Sequence, residues 1–269
     1  MIGAVPLDTL DLALAAVLVI VNAGLSLALG LGLARPLLIA DARTVVQLLL
    51  VGVIIKLLFA LASPWWTTLM ALVMVALAGG EVRARQTRRF TGAWTYGLGT
   101  LSVAMGAGLV TVLALLVVVQ PDPWYQPRYA ILLLGMILGN AMTGVSLGLE
   151  ALTTAAARDR GAIEARLALG ADRGTALRTA VRHAMRTGLM PIVNAMAAAG
   201  VIALPGMMTG QILAGAEPVA AVKYQVLIMF LIAGGTGLGV FLAVTVAARR
   251  LSDARHRLRL DRLRPSRDA

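Results

Sequence analysis

The sequence predicts an all-α integral membrane protein of about seven transmembrane helices, N-terminus outside and C-terminus cytoplasmic. Three observations carry this. Hydrophobic residues make up 59% of the 269-residue chain and charged residues only 14%, against roughly 45–50% and about 25% in soluble domains. The apolar residues gather into runs near the ~20 residues that cross a bilayer core about 30 Å thick. The basic residues fall almost wholly between alternate runs. A mean hydropathy of +0.85 leaves no room for a soluble enzyme or a disordered chain. Without cysteine there are no disulfides, thiolate metal sites or cysteine nucleophiles. His183 and His256 are the only imidazoles.

Seven runs are candidates for spans: Leu10 to Ala34, Val45 to Ala62, Trp65 to Gly79, Tyr96 to Val119, Ile131 to Leu149, Leu189 to Leu204, and Val226 to Ala248. The first carries Asp8 and Asp11 at its start, where a secretory signal would carry positive charge, so it is expected to be a retained helix. Trp65 and Trp66 suit a membrane interface. With the N-terminus outside, the cytoplasmic segments hold Arg35 and Arg43, then Arg83, Arg85, Arg88 and Arg89, then the arginines from Arg158 to Arg186, then those from Arg249 on. The outer loops hold only Arg128 and Lys223, and Lys56 lies within a run. This asymmetry fits the positive-inside rule. It accounts for the net charge of +11 without nucleic acid, for which the chain offers no folded reader or aromatic platform. Residues 1–248 are expected to form one transmembrane domain with a cytoplasmic segment at 158–187, and residues 249–269 a basic tail. The tail repeats Arg with Leu258, Leu260 and Leu263, which suits anionic lipid.

Three GxxxG pairs occur inside the predicted spans, at Gly135/Gly139, Gly144/Gly148 and Gly235/Gly239. They imply close helix approach, either within the chain or across a dimer seam.

The stretch Arg158 to Thr187 reads as two short helices. Ala162 to Leu169 ends at Gly170, which suits a left-handed C-terminal cap. Asp172 caps a second helix running through Arg186. Ile163 and Leu167 share one face of the first, with Glu164 and Arg166 elsewhere around it. Such a helix either lies on headgroups or docks into a cytoplasmic partner.

Glu164-Ala165-Arg166 together with Leu169-Gly170-Ala171 resembles the EAA-type coupling loop of ABC transporter permeases. Arg186-Thr187-Gly188, Met190-Pro191, Asn194 and the run Leu204-Pro205-Gly206-Met207-Met208-Thr209-Gly210-Gln211-Ile212-Leu213-Ala214-Gly215 resemble the FetB/YbbM family of ABC iron-export permeases. Pro218, Lys223-Tyr224-Gln225 and Met229-Phe230 continue the match. Plant aluminium-tolerance half-transporters are similar. The likeness covers roughly Glu150 to Ala248. Importer permeases often carry Leu-Pro a turn or two after the loop glycine; here that place reads Arg182-His183-Ala184 and the proline comes later, at Pro191, which departs from the importer pattern and leaves the likeness to the export family intact.

The resemblance implies a multi-pass protein of the cell (inner) membrane that exports a metal ion, iron by family. It also implies a homodimer working with a FetA-like ATPase that docks on Ile163, Glu164, Arg166, Leu167 and Gly170. The chain itself has no phosphate-cradling GxxxxGK[ST], because Ile55 and Val222 precede its two lysines. ATP and Mg therefore belong to a separate subunit, and this chain is expected to bind no cofactor and to be no enzyme.

Polar residues inside apolar runs face a bundle interior or water. Asn140, Glu150, Asn194, Met207, Met208 and Gln211 are the candidates for a substrate path. Asn140 and Asn194 suit helix–helix hydrogen bonding as well as a path. Glu150 is either a gate carboxylate or a solvated helix-end charge. Met207 and Met208 offer thioethers to a soft metal or simply fill space. The run Pro205 to Gly210 is expected to break helix near the outer side. No metal-ligand spacing is recognisable. A stand-alone carrier or channel is the alternative, but it would usually show internal repeats or charged relays. An intramembrane enzyme would need a catalytic pair within the spans, and none is present.

Overall fold

The computed structural model describes residues 8–253 and 255–264. It is built from α1 (Thr9–Ala28), α2 (Ala34–Leu61), α3 (Pro64–Ala84), α4 (Trp94–Val119), α5 (Pro127–Arg158), α6 (Arg160–Ala168), α7 (Arg173–Ala198), α8 (Gly206–Leu213) and α9 (Pro218–Arg250). Among the described residues there are isolated β-bridges but no strand.

Among the described residues six helices, α1 to α5 and α9, are long and apolar enough to cross a membrane. Each matches one predicted span but is generally longer. α2 starts at Ala34, so Arg35 and Arg43 are helical rather than in a loop. At ~1.5 Å per residue its 28 residues outreach a bilayer core of about 30 Å, which lets those arginines reach the headgroups. Trp65 and Trp66 stand exposed at the start of α3, where an interfacial pair belongs.

The sixth predicted span, Leu189 to Leu204, is not among the six. It and the predicted second cytoplasmic helix are one continuous element, α7, with Pro191 inside it. Its first half carries Arg173, Arg178, Arg182 and Arg186. That half is too charged to count as a span. The chain leaves the helix at Ala199, which is extended at φ −63°, ψ 129°. The predicted break is also displaced. The irregular segment is 199–205, and Gly206–Leu213 is helical, with Pro205 as its extended N-cap. Proline biases the residue before it away from helix, and its own fixed φ suits the start of a new one. The glycines behind it cost only about 1 kcal/mol each in a helix.

α5 and α9 are the core of the bundle. Ile137, Val145, Leu149 and Leu152 of α5 and Val240, Val244 and Ala247 of α9 are at most 1% exposed. α3, α4 and α7 pack around this pair. Small residues bring the backbones together. A Cβ on Gly106 would stand 2.4 Å from the carbonyl oxygen of Gly235, and one on Gly144 would stand 2.8 Å from that of Gly188. Gly144/Gly148 and Gly235/Gly239 therefore serve packing within the chain, whereas Gly139 faces open space. Where α4 crosses α9 it includes π-helical turns at Ala104–Gly108, with another at Ala114–Val119. Such turns are inserted residues that re-aim a helix face.

α1 and α2 stand apart. Their apolar windows are 11% and 6% buried, against 50% for α5 and 44% for α9. They pack on each other, with sparse contact to α3 and α5.

The tail does not lie free. Ser252 and Leu258 form a bridge, Leu260–Arg262 is a 3-10 turn, and Leu263 bridges to Phe90. Leu258, Leu260 and Leu263 pack into protein, which corrects the expectation that this stretch rests on lipid. Its end, 265–269 with Arg267, lies outside the described residues.

Candidate functional site

α6 is nine residues long. It comes after α5 and Asp159, whose carboxyl the neighbouring Arg158 guanidinium holds below the usual carboxylate range. It ends at Gly170 at φ +90°, the left-handed cap expected from the sequence. Asp172 then caps α7, accepting from the Thr175 amide at 2.8 Å. That hydrogen bond lowers the Asp172 pKa.

Ile163, 2% exposed, packs on Ala176 and Leu177 of α7, with Leu167 and the tail's Leu258 beside it. Thus Ile163, buried, and Leu167, half-buried, hold α6 down against α7. Arg166 also reaches back, donating to the Ala176 carbonyl at 3.4 Å. Glu164 is exposed and pairs with Arg160 at 2.8 Å. The opposite side of α6 carries Ala165, Ala168 and Leu169, the last 89% exposed. Leu169 ends the predicted docking helix, Ala162 to Leu169, but is not among the residues singled out for docking. Its place two residues past Leu167, about 200° around a helix, is the signal that sets it on the outer side.

The loop between α3 and α4 is fastened from two sides. The Gln86 side chain donates to the Ser146 carbonyl of α5 at 3.0 Å, and the Thr87 amide donates to Glu150 Oε2 at 2.9 Å. From the tail, the Arg262 carbonyl accepts from the Thr91 amide at 2.9 Å, and the Arg264 amide donates to the Arg89 carbonyl at 2.8 Å. Arg250 stacks 4.5 Å above Trp94, and Arg262 Nη1 donates to the Arg250 carbonyl at 2.8 Å. The tail is thus a strap between α6 and this loop.

The predicted path residues are scattered. Asn140 is exposed on α5 and donates to the Met136 carbonyl of its own helix at 2.9 Å. Glu150 is half-buried and engaged with Thr87 and Thr154. Asn194 is exposed on α7. Met207 packs against the main core, Met208 is buried, and Gln211 has a buried Oε1 without a partner. Met208 lines a cavity of about 390 Å³ between α7, α8 and α9, with Met196, Met229, Phe230 and Gln225. Gln225 is 8% exposed and its Oε1 is also unpartnered. The other predicted path residues do not line this cavity. Another cavity, about 820 Å³, opens between α2, α3 and α5 beside the Arg43–Glu81 ion pair, with Gln47 and Arg85 in its wall. Among the described residues no three His, Asp or Glu side chains gather as a metal site would require.

The sequence profile of an uncharacterised protein family, UPF0014, matches residues 9–252. A UPF0014 membrane protein of Synechocystis is 42% identical over 198 residues, covering 73% of this chain and 75% of its own. The probable iron export permease protein FetB of Escherichia coli is 30% identical over 256 residues, 94% and 95% of the two chains. The Arabidopsis thaliana protein ALUMINUM SENSITIVE 3 is 32% identical over 193 residues, 72% and 68%. No solved structure matches the chain.

Proposed function

This chain belongs to the UPF0014 family of multi-pass membrane proteins, and on that premise we propose that it is the permease subunit of an ATP-driven metal exporter, with the ATPase on a separate polypeptide. The observation that carries the reading is α6. It is a short helix beneath the bundle, anchored by Ile163 and Leu167 and bare on its Ala165, Ala168 and Leu169 side. A small apolar knob ringed by charge suits a cleft in a partner protein, as helix-in-groove recognition does. The missing phosphate loop requires that partner to supply the nucleotide chemistry. Two copies of the chain would work with two ATPases, and closure of the ATPases would be transmitted through α6 to α5 and α7. We place this permease in the cell (inner) membrane, with α6 on the cytoplasmic side where the arginines concentrate.

Iron is the cargo suggested by the name of the Escherichia coli relative. The chemistry available for it is oxygen from Gln211, Gln225 and backbone carbonyls, with thioethers from Met207 and Met208. The coupling test is co-expression with a candidate ATPase subunit that lowers retained cellular iron only together with this chain. Leu169→Glu should lower stimulation of ATP hydrolysis about tenfold or more, the loss of one central anchor, with no change in thermal unfolding. Full stimulation by this variant would remove α6 as the docking element. For the path, Gln211→Leu should raise retained cellular iron after overload, and wild-type export would exclude Gln211.

A further inference from the structure

A cavity of about 470 Å³ lies between α7, α9 and the start of the tail, away from both the exposed side of α6 and the methionine-lined cavity. Its wall has two chemical halves. Leu177, Val181 and Ala248 form an apolar side; Arg173, Arg178 and Arg249 form a basic one. Among the described residues, none of these three guanidinium groups is held by a hydrogen bond or ion pair. The one carboxylate in the wall, Asp172, is already engaged by the Thr175 amide at 2.8 Å and the Thr175 hydroxyl at 3.2 Å. His256 completes the rim, and its Nδ1 accepts from the Arg173 amide at 3.1 Å.

Three unpaired arginines around a concavity are the chemistry of phosphate recognition. Their level identifies the source. Thr245 and Ala248 belong to the last apolar turn of α9, and Arg249 is the first charge after it, so the cavity straddles the expected end of the hydrocarbon. A soluble phosphate has no use for the apolar half, whereas a phospholipid fills both. We propose that this cavity binds an anionic phospholipid, its phosphate among Arg173, Arg178 and Arg249 and its glycerol and first acyl carbons against Leu177, Val181 and Ala248. Basic pockets between helices at a cytoplasmic face take anionic headgroups in this way.

The experiment is native mass spectrometry of the purified full chain in detergent, titrated with phosphatidylglycerol and, separately, phosphatidylcholine. We expect one phosphatidylglycerol retained in preference to phosphatidylcholine. Arg178→Gln with Arg249→Gln should weaken retention roughly 25-fold, about fivefold for each arginine removed near a membrane surface. Ala248→Phe, which fills the cavity without touching charge, should do the same, and it keeps the test sharp should the arginine pair fold poorly. Arg255→Gln, in the tail but outside the cavity wall, should change nothing. Equal retention by wild type and both cavity variants overturns the proposal, as does an equal loss in Arg255→Gln. Displacement of the lipid by millimolar inorganic phosphate would reassign the cavity to a soluble phosphate.

Discussion

Ile163 and Leu169 sit six residues apart at one short helix with opposite exposures, 2% and 89%, and their substitution should separate folding from docking. Ile163→Ala empties the contact with Ala176 and Leu177 and should cost about 2–4 kcal/mol. The measurement is a drop in the thermal midpoint of the purified chain in detergent, where Leu169→Glu leaves that midpoint unchanged. Asp172 offers a pH test at the same scale. Its folded carboxyl is held down by the Thr175 amide, so its contribution is complete above the unfolded value of about 3.9. That contribution is lost only as pH falls through the lowered folded value. Hydrogen exchange at the start of α7 should therefore follow the intrinsic rate law from neutrality to about pH 5 and accelerate beyond it only in stronger acid. Asp172→Asn should keep the cap and abolish the acid-side change.

At the scale of elements, the glycines divide into two kinds. Gly106→Ala drives a Cβ into the Gly235 carbonyl, while Gly139→Ala meets nothing within 4 Å. The first should lower the thermal midpoint strongly and the second leave it nearly unchanged, read by the same unfolding assay. Hydropathy made six helices legible because each is a long apolar run with charged or proline-containing ends. It failed at α7, where an arginine-bearing half and an apolar half share one helical period and nothing marks the join. Pro191 lies inside that helix, so a proline alone was no guide to where it ends; the break came at Ala199 instead. The caps at Gly170 and Asp172 were readable because capping chemistry is local. Glu150 was readable as a span-end carboxylate but not as the acceptor for Thr87, because that partner is 63 residues away. The tail leucines looked like a lipid-facing stripe for the same reason. Leu258 meets Ile163 and Leu177, and Leu263 pairs with Phe90, all far along the chain.

For the molecule as a whole, the arginine distribution sets the orientation to be tested. The chain has no cysteine, so a single cysteine replacing Asp8 or Arg264 would be its only thiol. The ends of α5 and α9 both meet the loop between α3 and α4, so α7 and α8 must carry the chain back between them and make the crossings odd in number. In oriented vesicles an impermeant maleimide should therefore label the two cysteines from opposite sides, and labelling from one side would end that scheme. The same vesicles bear on the peripheral helices. α1 and α2 lean little on α3 to α9, so their outward leucines meet lipid or a second copy, and intermolecular cross-linking should be richest there if two copies meet on that side.

The strap formed by residues 251–253 and 255–264 joins α6 to the loop between α3 and α4. Those residues come after α9 and leave the ribosome once α9 has been made. The spans can thus insert in order during translation while the arginine-rich underside stays unfinished. Shortened chains ending near Arg250 should reach the bilayer yet lack an assembled underside, so completion of the underside waits on the stretch made after α9.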